Sequence, residues 1–293
     1  MMKTNKSLLE IHLAVLLFGL SGLFGKLIAL PAIMIVFGRV VFASVFLLAV
    51  LLALKKPLLL DKPKDYAVMA GMGALLAVHW STFFFAIQLS TVAIGLLTFS
   101  TFPVFVAFLE PYFFKEKRSV REIVVALVAF GGIILVIPEF ELSSQLTQGG
   151  FWGVLSGLTF ALLSLLNRKY VKAYPGMVVA FYEQAVAAVL LIPYFVIQQP
   201  LIQAGDLILL VLLGIVFTGM AHSLFINGLQ DVKTQTAAII SCLEPVYGIA
   251  FAALYLQELP GIRELAGGVI ILAAVCYSTV WNNQHGNNPS VKN

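Results

Sequence analysis

The sequence predicts an all-α integral membrane protein with ten transmembrane helices in two inverted five-helix repeats. Three observations carry this prediction. Apolar residues make up 60% of the 293 residues and charged residues only 11%, against about 45–50% and about 25% in soluble domains. The apolar residues fall in long uninterrupted runs, such as residues 33–54, rather than the ~10-residue alternating segments of a membrane barrel. The chain also matches itself when shifted by about 142 residues. A mean hydropathy of +0.99 excludes a water-soluble domain and a disordered chain alike. Two cysteines, Cys242 and Cys276, both inside apolar runs, exclude a disulfide scaffold.

A spanning helix needs about 20 apolar residues, so ten leave only short loops. Spans are expected near 9–30, 32–54, 66–87, 92–114, 121–138, 150–167, 176–197, 207–229, 234–256 and 262–282. Pro31 and Pro175 each open a helix in its first turn, where a missing N–H costs little. Lys3 and Lys6 before the first run imitate a secretory leader. That run is too long, carries Glu10, His12 and Lys26, and lacks a small-residue cleavage site, so it is expected to remain as helix 1.

Charge sidedness sets the helix count. With the N-terminus cytoplasmic and ten spans, all but three of the 18 basic residues fall in cytoplasmic segments, from Lys3 and Lys6 through Lys55, Lys56, Lys62 and Lys64 to Lys292. The outer loops hold Arg263 alone, and instead carry Glu139, Glu141, Asp206, Glu258 and Glu264. This is the positive-inside pattern, and one helix more or fewer would invert every later loop. The expectation is a multi-pass protein of the cytoplasmic (plasma) membrane with both termini cytoplasmic.

At an offset of 142, Phe83 meets Phe225, Gln88 meets Gln230, Pro103 meets Pro245, Glu116 meets Glu258 and Arg121–Glu122 meets Arg263–Glu264. Near helix 2 the offset is 144, and Pro31 meets Pro175 and Phe37 meets Phe181. Shared Pro, Gln, Glu and Arg positions are harder to reach by chance than apolar identities. The units are residues 1–140 (helices 1–5) and 149–284 (helices 6–10), followed by a polar tail, 285–293. Five is odd, so the second unit enters from the opposite side and the halves are inverted. Inverted repeats place a binding site near the bilayer midplane, where the halves meet.

Residues 16–48, LLFGLSGLFGKLIALPAIMIVFGRVVFASVFLL, present Lys26, Pro31 and Arg39 in order. Residues 241–274, SCLEPVYGIAFAALYLQELPGIRELAGGVIILAA, carry an LEPV motif, a glutamate and a Gly–Gly–Val–Ile–Ile run. The first half has a weaker version, STFPVFVAFLEPYFFKEKRSVREIVVALVAFGGIIL, with Phe102 in place of Glu244 and an extra Glu110–Pro111 pair. Over essentially its whole length the chain resembles the drug/metabolite transporter superfamily, EamA-type branch. That resemblance implies two inverted repeats of five helices and export of small metabolites, often amino acids. It does not name the substrate.

Polar groups inside the spans mark the places to look, because a central charge costs roughly 2.5–3.5 kcal/mol on insertion scales. Arg39 lies about 12 Å into helix 2, and repeat symmetry puts Glu183 at the same depth of helix 7. The two can form a structural pair, a gate that opens as the halves rock, or leave Arg39 free to hold a substrate carboxylate. Lys26 near the outer end of helix 1 either snorkels to headgroups or faces an outer vestibule. Glu244 precedes Pro245, which can kink helix 9; the carboxylate either satisfies freed backbone or carries a coupled proton. Glu110 is expected at the membrane interface. His79 and His222 are nearly repeat-equivalent and either find a hydroxyl or carbonyl partner or line a cavity. Trp80 and Phe83 are candidate cavity walls, and Ser21, Thr159, Tyr182 and Asn227 candidate polar contacts. The small residues of helices 1 and 6 suit close packing. In helices 5 and 10, Gly131–Gly132 and Gly267–Gly268 suit either tight packing or a homodimer face.

No P-loop, HExxH or GxSxG pattern occurs, and the histidines lack metal-ligand spacing. No cofactor, metal or catalytic residue is therefore expected, and the net charge of +4 reflects cytoplasmic loops rather than a nucleic-acid surface. The function expected is secondary-active, alternating-access export of small metabolites such as amino acids. Its partners would be the substrate, membrane lipids and coupled protons. The competing expectation is an intramembrane enzyme using His79, His222 and Glu244 on a lipidic substrate.

Overall fold

The computed structural model describes residues 2–114, 120–137 and 141–285. Lys115, Glu116, Lys117, Arg118, Glu139, Lys292 and the rest of the polar tail after His285 lie outside the described residues. So do the side chains of Lys3, Arg121 and Glu122. Among the described residues, ten helical spans run in chain order. The first is α1 (Met2–Ser21, continued by Phe24–Leu27), then α2 (Ala32–Ala53) and α3 (Pro63–Leu89). Next come α4 (Val92–Phe99 and Phe102–Phe114), α5 (Val120–Val136), α6 (Gln145–Tyr170) and α7 (Gly176–Gln198). The last three are α8 (Ala204–Gly214, a π turn Ile215–Met220 and Ala221–Gly228), α9 (Thr234–Ser241 and Leu243–Tyr255) and α10 (Ile262–His285). Eight spans are long and apolar enough to cross a membrane among the described residues, and α5 contributes a shorter apolar helix, Leu127–Val136.

The packing partners repeat with the sequence. α2 packs along α7 and α5 along α10, each pairing a helix with its repeat equivalent. α3 packs on α6 and α7, and correspondingly α8 packs on α1 and α2. The α4–α6 contact is matched by α9–α1. A twofold-related set of contacts with opposite chain directions is an inverted repeat.

α4 and α9 break at equivalent points, Ser100–Thr101 and Cys242. Pro103 and Pro245 explain the breaks: each lacks the N–H that would continue the helix, so each starts a new segment within its first turn. Small residues let partner helices approach the broken turns. A Cβ on Gly19 of α1 would sit 2.6 Å from the Glu244 carbonyl, and one on Gly157 of α6 2.9 Å from the Phe99 carbonyl. The glycines of α5 and α10 face each other: a Cβ on Gly267 would meet the Gly132 carbonyl at 2.6 Å, and Gly268 packs on Leu97. Those three positions serve packing inside the chain, and only Gly131 stays open.

Candidate functional site

The two repeats meet in a small central cavity lined by Phe18, Ser21, Arg39, His79, Trp80, Phe83, Phe99, Phe160, His222 and Glu244. Each unit contributes. α1, α2 and α3 supply Phe18, Ser21, Arg39, His79, Trp80 and Phe83, while α6, α8 and α9 supply Phe160, His222 and Glu244. Phe99 and Glu244 come from the two broken helices beside their breaks. The free space is about 20 Å³, room for about one water.

Arg39 is 2% exposed. Its guanidinium lies 3.0 Å over the Trp80 ring, and its Nε donates to Thr218 Oγ1 at 3.0 Å. A planar, weakly hydrated cation on an aromatic face is favourable where water is excluded. Thr218 belongs to the π turn of α8, whose hydroxyl in turn donates to the Leu213 carbonyl at 2.7 Å. The Arg39–Glu183 pair expected from symmetry does not form. Glu183 Oε2 instead meets His222 Nε2 at 2.6 Å, both side chains fully buried. Glu183 faces α8, while Arg39 turns toward Trp80 and the π turn.

Glu244 faces the same cavity as Arg39 and interacts with it across the space, short of a direct ion pair among the described residues. His79 both lines the cavity and is held: Ser156 offers its carbonyl at 3.1 Å and its hydroxyl at 3.0 Å to Nδ1. Phe160 stacks on the His79 ring at 4.9 Å, and Trp80 stands edge-on to His222 at 5.9 Å.

Six of the expected positions sit elsewhere or are already engaged. The Thr159 hydroxyl donates to the Leu155 and Ser156 carbonyls of its own helix and lies outside the cavity lining. Tyr182, one residue before Glu183, is turned by about 100° on α7; its hydroxyl donates to the Leu58 carbonyl at 2.8 Å. Asn227 lines a separate polar pocket of about 360 Å³ at the N-terminal face, with Lys6, Ser7, Glu10, Gln230 and Asp231. Lys26 is exposed and lies outside the cavity lining. Its Nζ donates to the Ser90 carbonyl at 2.7 Å, at the C-terminal end of α3. Ser21 lines the cavity with its proton donated to the Phe18 carbonyl. Glu110, expected at the interface, is buried and paired with Arg168 of α6.

Sequence reasoning missed Phe18, Phe99, Phe160 and Thr218. Aromatic and hydroxyl residues are so frequent in the spans that nothing singles these out before the helices are placed. It also missed two latches. At the face away from the N-terminus, Asp206 Oδ1 in the first turn of α8 accepts from Ala29 N at 3.0 Å, and Glu258 Oε1 accepts from Val92 N at 2.6 Å. At the N-terminal face, Asp65 in the first turn of α3 accepts from the Tyr174 hydroxyl at 2.5 Å. Asp65 and Asp206 are one position from repeat equivalence, and each ties its helix start to the loop between the first two helices of the other unit. Both carboxylates suit the positive end of a helix. Tyr174 lies in a loop, and donation to Asp65, then burial, raises its phenol above the ordinary value of 10.0.

The EamA-like transporter family matches residues 5–137 and again 147–280. An uncharacterized transporter of Bacillus subtilis (strain 168) is 27% identical over 284 residues, covering 94% of this chain and 90% of that protein. An S-adenosylmethionine uptake transporter of Rickettsia bellii (strain RML369-C) is 24% identical, covering 83% and 82%. A crystal structure with 16% sequence identity covers 96% of this chain with a TM-score of 0.70, a likeness of fold. Matched in both halves by the same family model, the chain belongs to the EamA-like transporter family.

Proposed function

We propose that the protein is a secondary-active, alternating-access transporter of small zwitterionic metabolites such as amino acids, with the central cavity as its binding site. The observation that carries this reading is the presence of Arg39 and Glu244 in one aromatic-walled cavity without a direct ion pair. An α-amino acid has a carboxylate for the guanidinium fork and an ammonium for the carboxylate. Trp80, Phe83, Phe99 and Phe160 offer apolar surface to a side chain. S-adenosylmethionine carries the same two poles, so the name of the Rickettsia relative is compatible with this chemistry. A space of about 20 Å³ is far below the roughly 300 Å³ of a typical ligand pocket. Substrate entry therefore requires the units to move apart on one face.

In this reading the N-terminal face, the tail and both termini are on the cytoplasmic side of a plasma membrane, which the basic loops support, and transport is export, which the resemblance supports. The functional units are residues 1–140 and 149–284. Coupled protons and a homodimer remain part of the reading; dimer contact would use Gly131 with Leu127, Phe130 and Ile134, which face outward on α5. The test is counterflow in reconstituted vesicles with labelled amino acids and S-adenosylmethionine. Saturable exchange that competes with unlabelled substrate is expected. No exchange across the panel, with turnover of a lipid, would replace transport by an intramembrane enzyme.

A further inference from the structure

The buried side-chain polar atoms that lack a hydrogen-bond partner are confined, among the described residues, to one region. They are Ser164 Oγ and both amide atoms of Asn167 on α6, Glu183 Oε1 and both amide atoms of Gln184 on α7, His222 Nδ1 on α8 and Thr234 Oγ1 at the start of α9. All lie in the second repeat, between the central cavity and the N-terminal face. Buried polar atoms are usually paired, and leaving one unpaired is costly. Here several are left open around one carboxylate–imidazole pair.

The atoms of that pair divide into two kinds. Glu183 Oε2 and His222 Nε2 are 2.6 Å apart and hold one proton between them. Glu183 Oε1 and His222 Nδ1, on the outer edges, have no partner, and both side chains are fully buried. Each outer atom can accept a proton, and Asn167 stands beside Glu183. From geometry alone, we propose that Glu183 and His222 form the proton-carrying site of the transporter. The pair takes one exchangeable proton, and Ser164 and Asn167 lead to it from the N-terminal face. Proton loading at His222 Nδ1 converts a neutral imidazole beside a carboxylate into an imidazolium–carboxylate pair. No bond other than to hydrogen changes.

The site also touches the cavity. His222 lines it and meets Trp80 edge-on, and Trp80 carries Arg39. The ionisable groups facing the pair are Arg39 from α2, His79 from α3 and Glu244 from α9. α1 presents Phe18, and α6 presents the uncharged Ser164 and Asn167. A proton on the pair thus changes the charge set that a zwitterion meets. This inference rests on the transport reading, and it assigns proton loading to Glu183 and His222 rather than to Glu244.

The purified full chain is titrated between about pH 5 and 8 and followed by infrared difference spectroscopy. One protonation step is expected that disappears in Glu183→Gln and in His222→Asn and remains in Glu244→Gln. Persistence of the step in either of the first two variants, or its absence from the wild type, overturns the assignment. Should a variant fail to fold, 15N-histidine labelling of the wild type decides: a titrating Nδ1 of His222 supports the site, and a constant one removes it. In vesicles, the ratio of flux with and without an imposed pH gradient should fall at least tenfold in Glu183→Gln, and an unchanged ratio counts against the proposal. If wild-type vesicles exchange nothing on the amino-acid panel, the transport reading fails, while the spectroscopic step still decides the proton site.

Discussion

The guanidinium of Arg39 is held flat against Trp80, with Nε tied to Thr218, while Glu244 stands across the cavity. A point-charge ammonium cannot reproduce a stacked fork. Arg39→Lys is therefore expected to raise the half-saturating substrate concentration about tenfold, a loss of about 1.4 kcal/mol, read by counterflow. Glu244→Gln should weaken zwitterions about as much and leave the binding of substrates lacking the ammonium nearly unchanged, which competition assays would show. The sequence exposed these residues because charge is rare inside spans. It could not pair them. Arg39 and Glu183 are equivalent in the repeat alignment, yet side-chain direction depends on helix rotation, and a turn of one residue moves a contact by about 100°. Tyr182 shows the same effect, since its neighbour Glu183 reaches the centre while its own hydroxyl reaches Leu58.

Among the elements, the broken helices α4 and α9 flank the cavity, and their prolines set the break. Pro245→Ala restores an N–H and should let α9 run straighter. The expected outcome is a higher melting temperature in detergent with flux reduced several-fold. At the α1–α9 crossing, a Cβ on Gly248 would meet the Gly19 carbonyl at 2.8 Å. Gly248→Val should destabilise by about 1–3 kcal/mol through overpacking, read as a fall in melting temperature. The ten spans were legible because each is a long apolar run bounded by charge or proline. Their observed bounds depart from expectation mainly at polar ends, as in α6, where Gln145–Gly149 and Arg168–Tyr170 continue the helix beyond its apolar stretch. The π turn of α8 was not legible. Nothing in Ile215–Met220 announces it; the turn places Thr218 against Arg39, a tertiary requirement.

Across the whole molecule, both latches are engaged at once, Asp206 with the Ala29 amide at one face and Tyr174 with Asp65 at the other. Asp206→Ala should favour opening at the face away from the N-terminus and Tyr174→Phe opening at the N-terminal face. Thiol labelling of single cysteines placed along the cavity would show opposite changes in accessibility; identical changes would dissociate the latches from access. The raised phenol of Tyr174 keeps its proton at neutral pH, so this latch is complete there and loosens only as pH climbs above the ordinary tyrosine range. The inverted architecture was legible from shared Pro, Gln and Glu positions, because an odd number of helices per unit dictates inversion. The latches were not, since their acceptors are carboxylates in first helical turns, indistinguishable in sequence from solvated charge. An energised membrane is a charged capacitor, and any continuous file of water through a carrier discharges it. With both ends fastened and space at the centre for about one water, the described arrangement offers no room for such a file at its centre, and on the transport reading a cell could hold many copies without running down its ion gradients.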